Sequence, residues 1–152
     1  MDSREIACDL IYSSLLALDD KNFQGFIDLC HPEFNYKIGA YSPEIRKEMI
    51  WLEEDRASMK LLFDSLPKHN SDHSTLARMG SIYTAHKQSN GDWKALTFLQ
   101  VFKTNLDGGA TELFAVGKMH DTLRLDQDQL KLLAREIKLE TRMFGFGHHI
   151  PF

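Results

Sequence analysis

The sequence predicts an α+β fold in which a long, strongly curved antiparallel sheet wraps around a long helix and leaves a pocket at one end. Three observations carry this expectation. Apolar residues recur at helical spacing up to Pro67. Beyond Pro67 the chain changes to four consecutive runs of strand character. Those runs are separated by short turns, and Asn90-Gly91 and Asp107-Gly108-Gly109 are hairpin signals, so the strands form a meander. Helices ahead of such a sheet pack on one of its faces. The natural closure is a cone with three N-terminal helices.

The first helix is expected over residues 4–19. Asp2 and Glu5 have the spacing of a capping box, and Ala7, Leu10, Ile11, Ser14, Leu15 and Leu18 form one stripe. A shorter helix over 22–30 carries Phe23, Phe26, Ile27 and Leu29. His31-Pro32 ends it, because proline disfavours helix in the residue before it. "FNYKIGAY" reads as a short strand. "SPEIRKEMIWLEEDRASMKLLFDSLP" reads as one long helix over 42–67, capped by Ser42 with Pro43 in its first turn. Its stripe is Ile45, Met49, Leu52, Met59, Phe63 and Leu66. Arg56 falls on the same stripe, so it either sits at the rim with its stem on apolar surface or pairs with a carboxylate. The four long strands are expected over 74–88, 92–105, 110–126 and 129–142.

Composition bounds the function. The 152 residues are long enough for one domain with its own core, taken as residues 1–152, and 43% hydrophobic with 26% charged residues is ordinary for a globular chain. Net charge is −4 with Lys and Arg scattered, so the basic patch of a nucleic-acid binder is missing. No apolar run approaches the roughly 20 residues of a membrane helix. The acidic start "MDSREIACDL" does not read as a secretory signal, so the expected compartment is the cytoplasm. Cys8 and Cys30 lie in separate predicted helices and read as buried thiols. Without a C-x-x-C pair, zinc-ribbon and thioredoxin chemistry lose their sequence support.

The order of elements resembles the cystatin-like, nuclear-transport-factor-2-like cone, and from Ile50 onward the motifs resemble one family of that fold, the small (beta) subunits of Rieske-type ring-hydroxylating oxygenases. "EEDRASMKLLFDSL" is similar to the family's acidic-Asp-Arg-Ala segment and following helix. "LPKHNSDHSTLARMGSIYT" has the layout of its turn into the first long strand, and "TFLQVFKTN" that of the next. "ELFAVGKMHDTLRLD" resembles E-L-F-x-G-x-x-x-D-x-L-R, and "LKLLAREIKLET" resembles W-x-x-A-R-R-x-x-x-L-D. The chain departs from the pattern where the last strand's Trp is absent, with Leu130 or Leu132 near its place, and where residues around Met79 to Ile82 replace Ser-Asn-Val. "YSPEIRKEMIWLEE" and "GFGHHIPF" look more like the small subunits of methanesulfonate monooxygenase hydroxylases than like those of aromatic dioxygenases.

The resemblance implies a structural small subunit with no cofactor of its own. The Rieske [2Fe-2S] cluster and the mononuclear iron belong to a partner large (alpha) subunit, and the small subunit trimerises within an α3β3-type assembly. No C-x-H…C-x-x-H pattern, the signature of Rieske ligation with two His replacing two Cys, occurs in this chain.

The residues also admit a different class. In a cone-fold isomerase, cyclase or dehydratase, a pocket carboxylate with a burial-raised pKa serves as general base. Asp121 with its neighbour His120 is the candidate, and Tyr36 or Tyr41 would donate hydrogen bonds. The competing reading pairs Asp121 with Arg124 or Arg135 across strands. Asp55-Arg56 reads as a structural ion pair on the helix or as a contact to the large subunit. The tail "FGFGHHIPF" reads as a packing segment, either buried in the chain itself or at a subunit boundary. Adjacent His148 and His149 point to opposite sides of an extended chain and suit no shared metal, whereas Phe144, Phe146, Ile150 and Phe152 favour burial at about 2 kcal/mol each.

Overall fold

Helix α1 (Ser3–Asp19) begins at the capping box visible in the sequence: Asp2 accepts from the Glu5 N–H at 2.8 Å, and Glu5 accepts in return from the Asp2 N–H. Every residue of the expected stripe, from Ala7 to Leu18, is buried. Asn22 caps α2 (Phe23–Asp28), and the chain enters β1 (Cys30–Ser42) through His31-Pro32. Strand β2 (Lys47–Asp55), helix α3 (Arg56–His69), and strands β3 (Thr75–Lys87), β4 (Trp93–Thr104), β5 (Thr111–Asp126) and β6 (Gln129–Leu139) follow. This computed structural model describes residues 1–69, 73–141 and 151–152.

The six strands form one sheet in the order β2-β1-β6-β5-β4-β3. The meander β3 to β6 is antiparallel throughout, as its turns require. Gly91, Gly108 and Gly109 adopt the positive φ that those turns demand. Strand β1 joins the far side of β6 in parallel, so a meander plus one parallel addition makes a mixed sheet. The helices cover one face. There α1 lies on β3 so closely that a Cβ on Gly80 would meet Leu15 Cδ1 at 2.9 Å. Phe26 and Phe63 hold α2 against α3 edge to face, with ring centroids 5.9 Å apart, and Phe23 stacks on Phe63 at 4.6 Å.

The structure corrects the helix expected over 42–67. Residues 47–55 form strand β2, antiparallel to β1, and only α3 is helical. Ser42 and Pro43 open a four-residue turn to Lys47 in place of capping a helix, with Ser42 Oγ donating to Glu44 Oε2 at 3.0 Å and Arg46 at φ 54°. The physical reason is non-local: without β2, strand β1 would present a bare row of N–H and C=O groups. Trp51 is the extra residue of a bulge between the Ile38–Leu52 and Gly39–Ile50 pairs, and it and Ile50 are both about half exposed. Met49 and Leu52 still reach the core, so helical and strand spacing coincide at those two positions.

Candidate functional site in the cone interior

The inward face of the sheet carries an unusual polar cluster inside an apolar core. Tyr36, Arg135 and Asp121 are in direct register across β1, β6 and β5. On β5, period-two alternation places Asp121 between the buried Met119 and Leu123 on the covered face. Arg135 Nε donates to Asp121 Oδ1 at 2.7 Å and its Nη2 to Oδ2 at 3.3 Å, and both side chains are completely shielded from solvent. Arg135 Nη2 also donates to Ser14 Oγ of α1 at 2.7 Å, while Ser14 donates to the Ile11 carbonyl at 2.6 Å. The guanidinium lies 5.8 Å from the Phe26 ring centroid.

A second buried cation closes the cluster. Arg78 of β3 donates through Nη1 to Asp19 Oδ1 at 2.9 Å and through Nη2 to the Pro151 carbonyl, also at 2.9 Å. Its main-chain N–H is received by the same Asp19 carboxylate. The Tyr36 hydroxyl donates to the Phe152 carbonyl at 2.9 Å, and the Phe152 ring, 1% exposed, meets Phe114 edge to face at 6.1 Å. Residues 151–152 therefore sit inside the chain's own cone.

Burial pushes the Tyr36 phenol well above its ordinary pKa, although the Arg135 and Arg78 charges pull it back, so it is a neutral hydrogen-bond donor. Burial also lowers the Arg78 pKa, with Asp19 opposing it. For Arg135 burial acts in the same direction, but the Asp121 charge and hydrogen bonds outweigh it and hold the guanidinium firmly protonated. Burial pushes the nearby Cys30 thiol up to about 12.

The structure separates the four residues of the candidate acid–base set. Tyr36 and Asp121 are interior, whereas Tyr41 and His120 line a groove on the opposite, uncovered face beside Glu48, Lys118, Glu136 and Lys138. Partial burial and the Lys138 charge keep the His120 imidazole below its usual pKa. His120 and Asp121 thus form no dyad, and both Asp121 oxygens are engaged by Arg135, one of the two cross-strand partners expected for it. Asp55 and Arg56 do not pair as an ion pair on the helix. Asp55 caps α3 by accepting from the Ser58 N–H at 2.8 Å, which holds its carboxyl below the usual range, and Arg56 donates to the Ile27 carbonyl at the end of α2 at 3.1 Å. Phe152 takes the buried alternative of its expectation, because the chain's own cone already removes the ring from water. Phe144, Phe146, His148, His149 and Ile150 lie outside the described residues.

Sequence reasoning missed Arg78, Asp19 and Ser14 as members of this cluster. The available signal was period two on β3, where Leu76, Arg78 and Gly80 share one face and place a cation on the apolar side. Among the described residues no group of three His, Cys, Asp or Glu is placed to hold a metal. No helix among them is long and apolar enough to cross a membrane.

A curved sheet closed by helices on one face, with its interior filled by side chains, defines a cone-fold protein of the nuclear-transport-factor-2-like class. Solved structures agree: TM-score is 0.69 to a scytalone dehydratase-like protein from Novosphingobium aromaticivorans, at 11% identity over 96% of this chain and 89% of that one. It rises to 0.84 for the beta subunit of an aromatic-ring-hydroxylating dioxygenase from the same organism, at 18% identity over 99% of this chain and 97% of that one. No family model matches the chain. Sequence relatives are more specific. The chain is 36% identical to the beta subunit of the methanesulfonate monooxygenase hydroxylase of Methylosulfonomonas methylovora, over 99% of its length and 87% of that protein. It is 24% identical to the beta subunit of 2-aminobenzenesulfonate 2,3-dioxygenase from Alcaligenes sp, over 99% of both. The chain belongs to the beta subunits of multicomponent oxygenase hydroxylases, oxidoreductase systems in which a beta subunit implies an alpha-subunit partner.

Proposed function

We propose that this chain is a structural, non-catalytic subunit that supports an iron-bearing alpha subunit. The observation that carries this reading is the interior: the position open to a pocket base in a cone-fold enzyme holds the fully buried Asp121–Arg135 ion pair, and Phe152 fills the space beside Tyr36 and Phe114. A carboxylate matched by a guanidinium and sealed from solvent fixes β5 to β6, and its charge is already neutralised where a base would have to act. The stand-alone isomerase, cyclase or dehydratase reading shares the fold but finds its base Asp121 already bound by Arg135, with His120 and Tyr41 on the opposite face of the sheet.

In this proposal the chain works as one cytoplasmic domain, trimerises and docks three alpha subunits in an α3β3 assembly. Each alpha subunit carries a Rieske [2Fe-2S] cluster and a mononuclear iron. The assembly hydroxylates an organosulfonate, the substrate class in the names of both curated relatives. Co-expression with an alpha subunit encoded beside it, followed by mass measurement in solution, tests the assembly. A stable hexamer that consumes oxygen on addition of methanesulfonate or an arylsulfonate is the expected result. Failure to form any complex with alpha subunits overturns it.

A further inference from the structure

The interior cluster handles residues 151–152 as a site handles a ligand. Two side chains from different strands, Arg78 and Tyr36, each donate a 2.9 Å hydrogen bond to a main-chain oxygen of the Pro151–Phe152 pair, and Phe114 receives the phenyl ring. The two oxygens belong to successive residues, and donors to such oxygens beside an aromatic contact are the elements that recognise an aryl group carrying a carboxylate on a short stem. A second observation is independent of the tail. Arg78 Nε and Arg135 Nη1 are buried and have no hydrogen-bond partner among the described residues, and the two side chains are 1% and 0% exposed. Buried donors without acceptors are rare, and each is an unmet demand for an oxygen. Thr97 Oγ1 of β4 is orphaned in the same way. Among the described residues the interior thus holds donors without acceptors.

We propose that the cone interior is a binding site for a small aromatic carboxylate and that Phe152 is its resident occupant, so the chain's own tail competes with the ligand. The site binds and does not catalyse, because Asp121 remains locked to Arg135. A ligand of this class enters by exchanging with Phe152: its ring takes the place against Phe114, and its carboxylate oxygens accept from Arg78 and Tyr36.

The test is titration calorimetry on the full-length chain with 3-phenylpropanoate and, as a neutral control, toluene. In a chain shortened by Pro151 and Phe152, which removes the ring together with both oxygens held by Arg78 and Tyr36, 3-phenylpropanoate is expected to bind roughly tenfold or more tightly than to the unsubstituted chain, because the competent state no longer has to be freed. Toluene gains far less. Adding Tyr36→Phe in that background should weaken 3-phenylpropanoate by about tenfold, the loss of one hydrogen bond to a charged acceptor, and leave toluene unchanged. Should the shortened chain fail to fold by circular dichroism, Pro151→Gly with Phe152→Gly removes the ring and loosens the two oxygens, and is read by the same titrations. A folded variant that binds neither probe, or binds both alike, overturns the proposal. So does an unsubstituted chain that binds 3-phenylpropanoate as tightly as the variant.

Discussion

Asp121 and Arg135 stand directly opposite one another on β5 and β6, joined at 2.7 Å with neither side chain exposed. A pair so placed is weak evidence for net stability, because desolvation offsets the attraction, but breaking it strands a charge in the core. Asp121→Asn is therefore expected to destabilise the chain by about 3–5 kcal/mol in urea unfolding. Replacing both partners, as Asp121→Leu with Arg135→Met, should recover most of that loss, since matched apolar substitution is often near neutral. A double variant no better than the worse single one would show that Ser14 and Phe26 depend on the guanidinium more than Asp121 does.

Cys30 gives the chain an alkaline limit. Its thiol is 3% exposed, donates to the Phe26 carbonyl at 3.3 Å, and is pushed by burial from 9.0 to about 12. The folded pKa is raised, so the folded state retains a proton that the unfolded chain releases. The stabilisation is complete below pH 9 and is lost between about 9 and 12, at up to about 1.4 kcal/mol per pH unit. Comparing Cys30→Ala with the unsubstituted chain in urea at pH 8 and pH 10 isolates this contribution: the loss of stability between the two pH values should be smaller in the variant. Equal losses would mean that the thiol does not govern the limit.

The close approach of β5 to β6 has its own requirement. A Cβ on Gly117 would meet the Lys138 carbonyl at 2.7 Å and Leu139 Cα at 3.0 Å, both backbone atoms that cannot rotate away. Gly117→Ala is expected to cost about 1–3 kcal/mol, the usual range for overpacking. The thermal midpoint should fall accordingly. Gly91→Ala makes a useful contrast, since space there is open and only the φ of 92° resists substitution.

These sites differ in how much of them a reader could find in the sequence. Helix α1 was legible because its cap and its stripe are both local, and the meander was legible because Asn90-Gly91 and Asp107-Gly108-Gly109 fix their own turns. Strand β2 was not, since Ile45, Met49 and Leu52 keep helical spacing and its cause, the bare edge of β1, lies in another segment. The pairing of Asp121 with Arg135 could be named as one of two cross-strand options because a meander brings neighbours together. The Arg78 cluster could not. Asp19 is 59 positions away and Pro151 is 73, and no periodicity relates the end of a helix, the middle of a strand and a tail.

Arg78 is the residue through which that long-range closure should fail. One guanidinium bridges the Asp19 carboxylate at the end of α1 and the Pro151 carbonyl, using two of its nitrogens in a fixed fork. Lysine carries the same charge on a single nitrogen and cannot hold both acceptors in that geometry. Arg78→Lys is therefore expected to keep the contact with Asp19, whose charge attracts it, and to release the carbonyl. The loss should appear as faster amide exchange of Phe152 together with a change in the Phe114 ring environment, while α1 amides remain protected. Uniform loss of protection across α1 and β3 would mean that Arg78 supports the fold as a whole, and unchanged exchange at Phe152 would mean that the Arg78 contact is not what holds that residue.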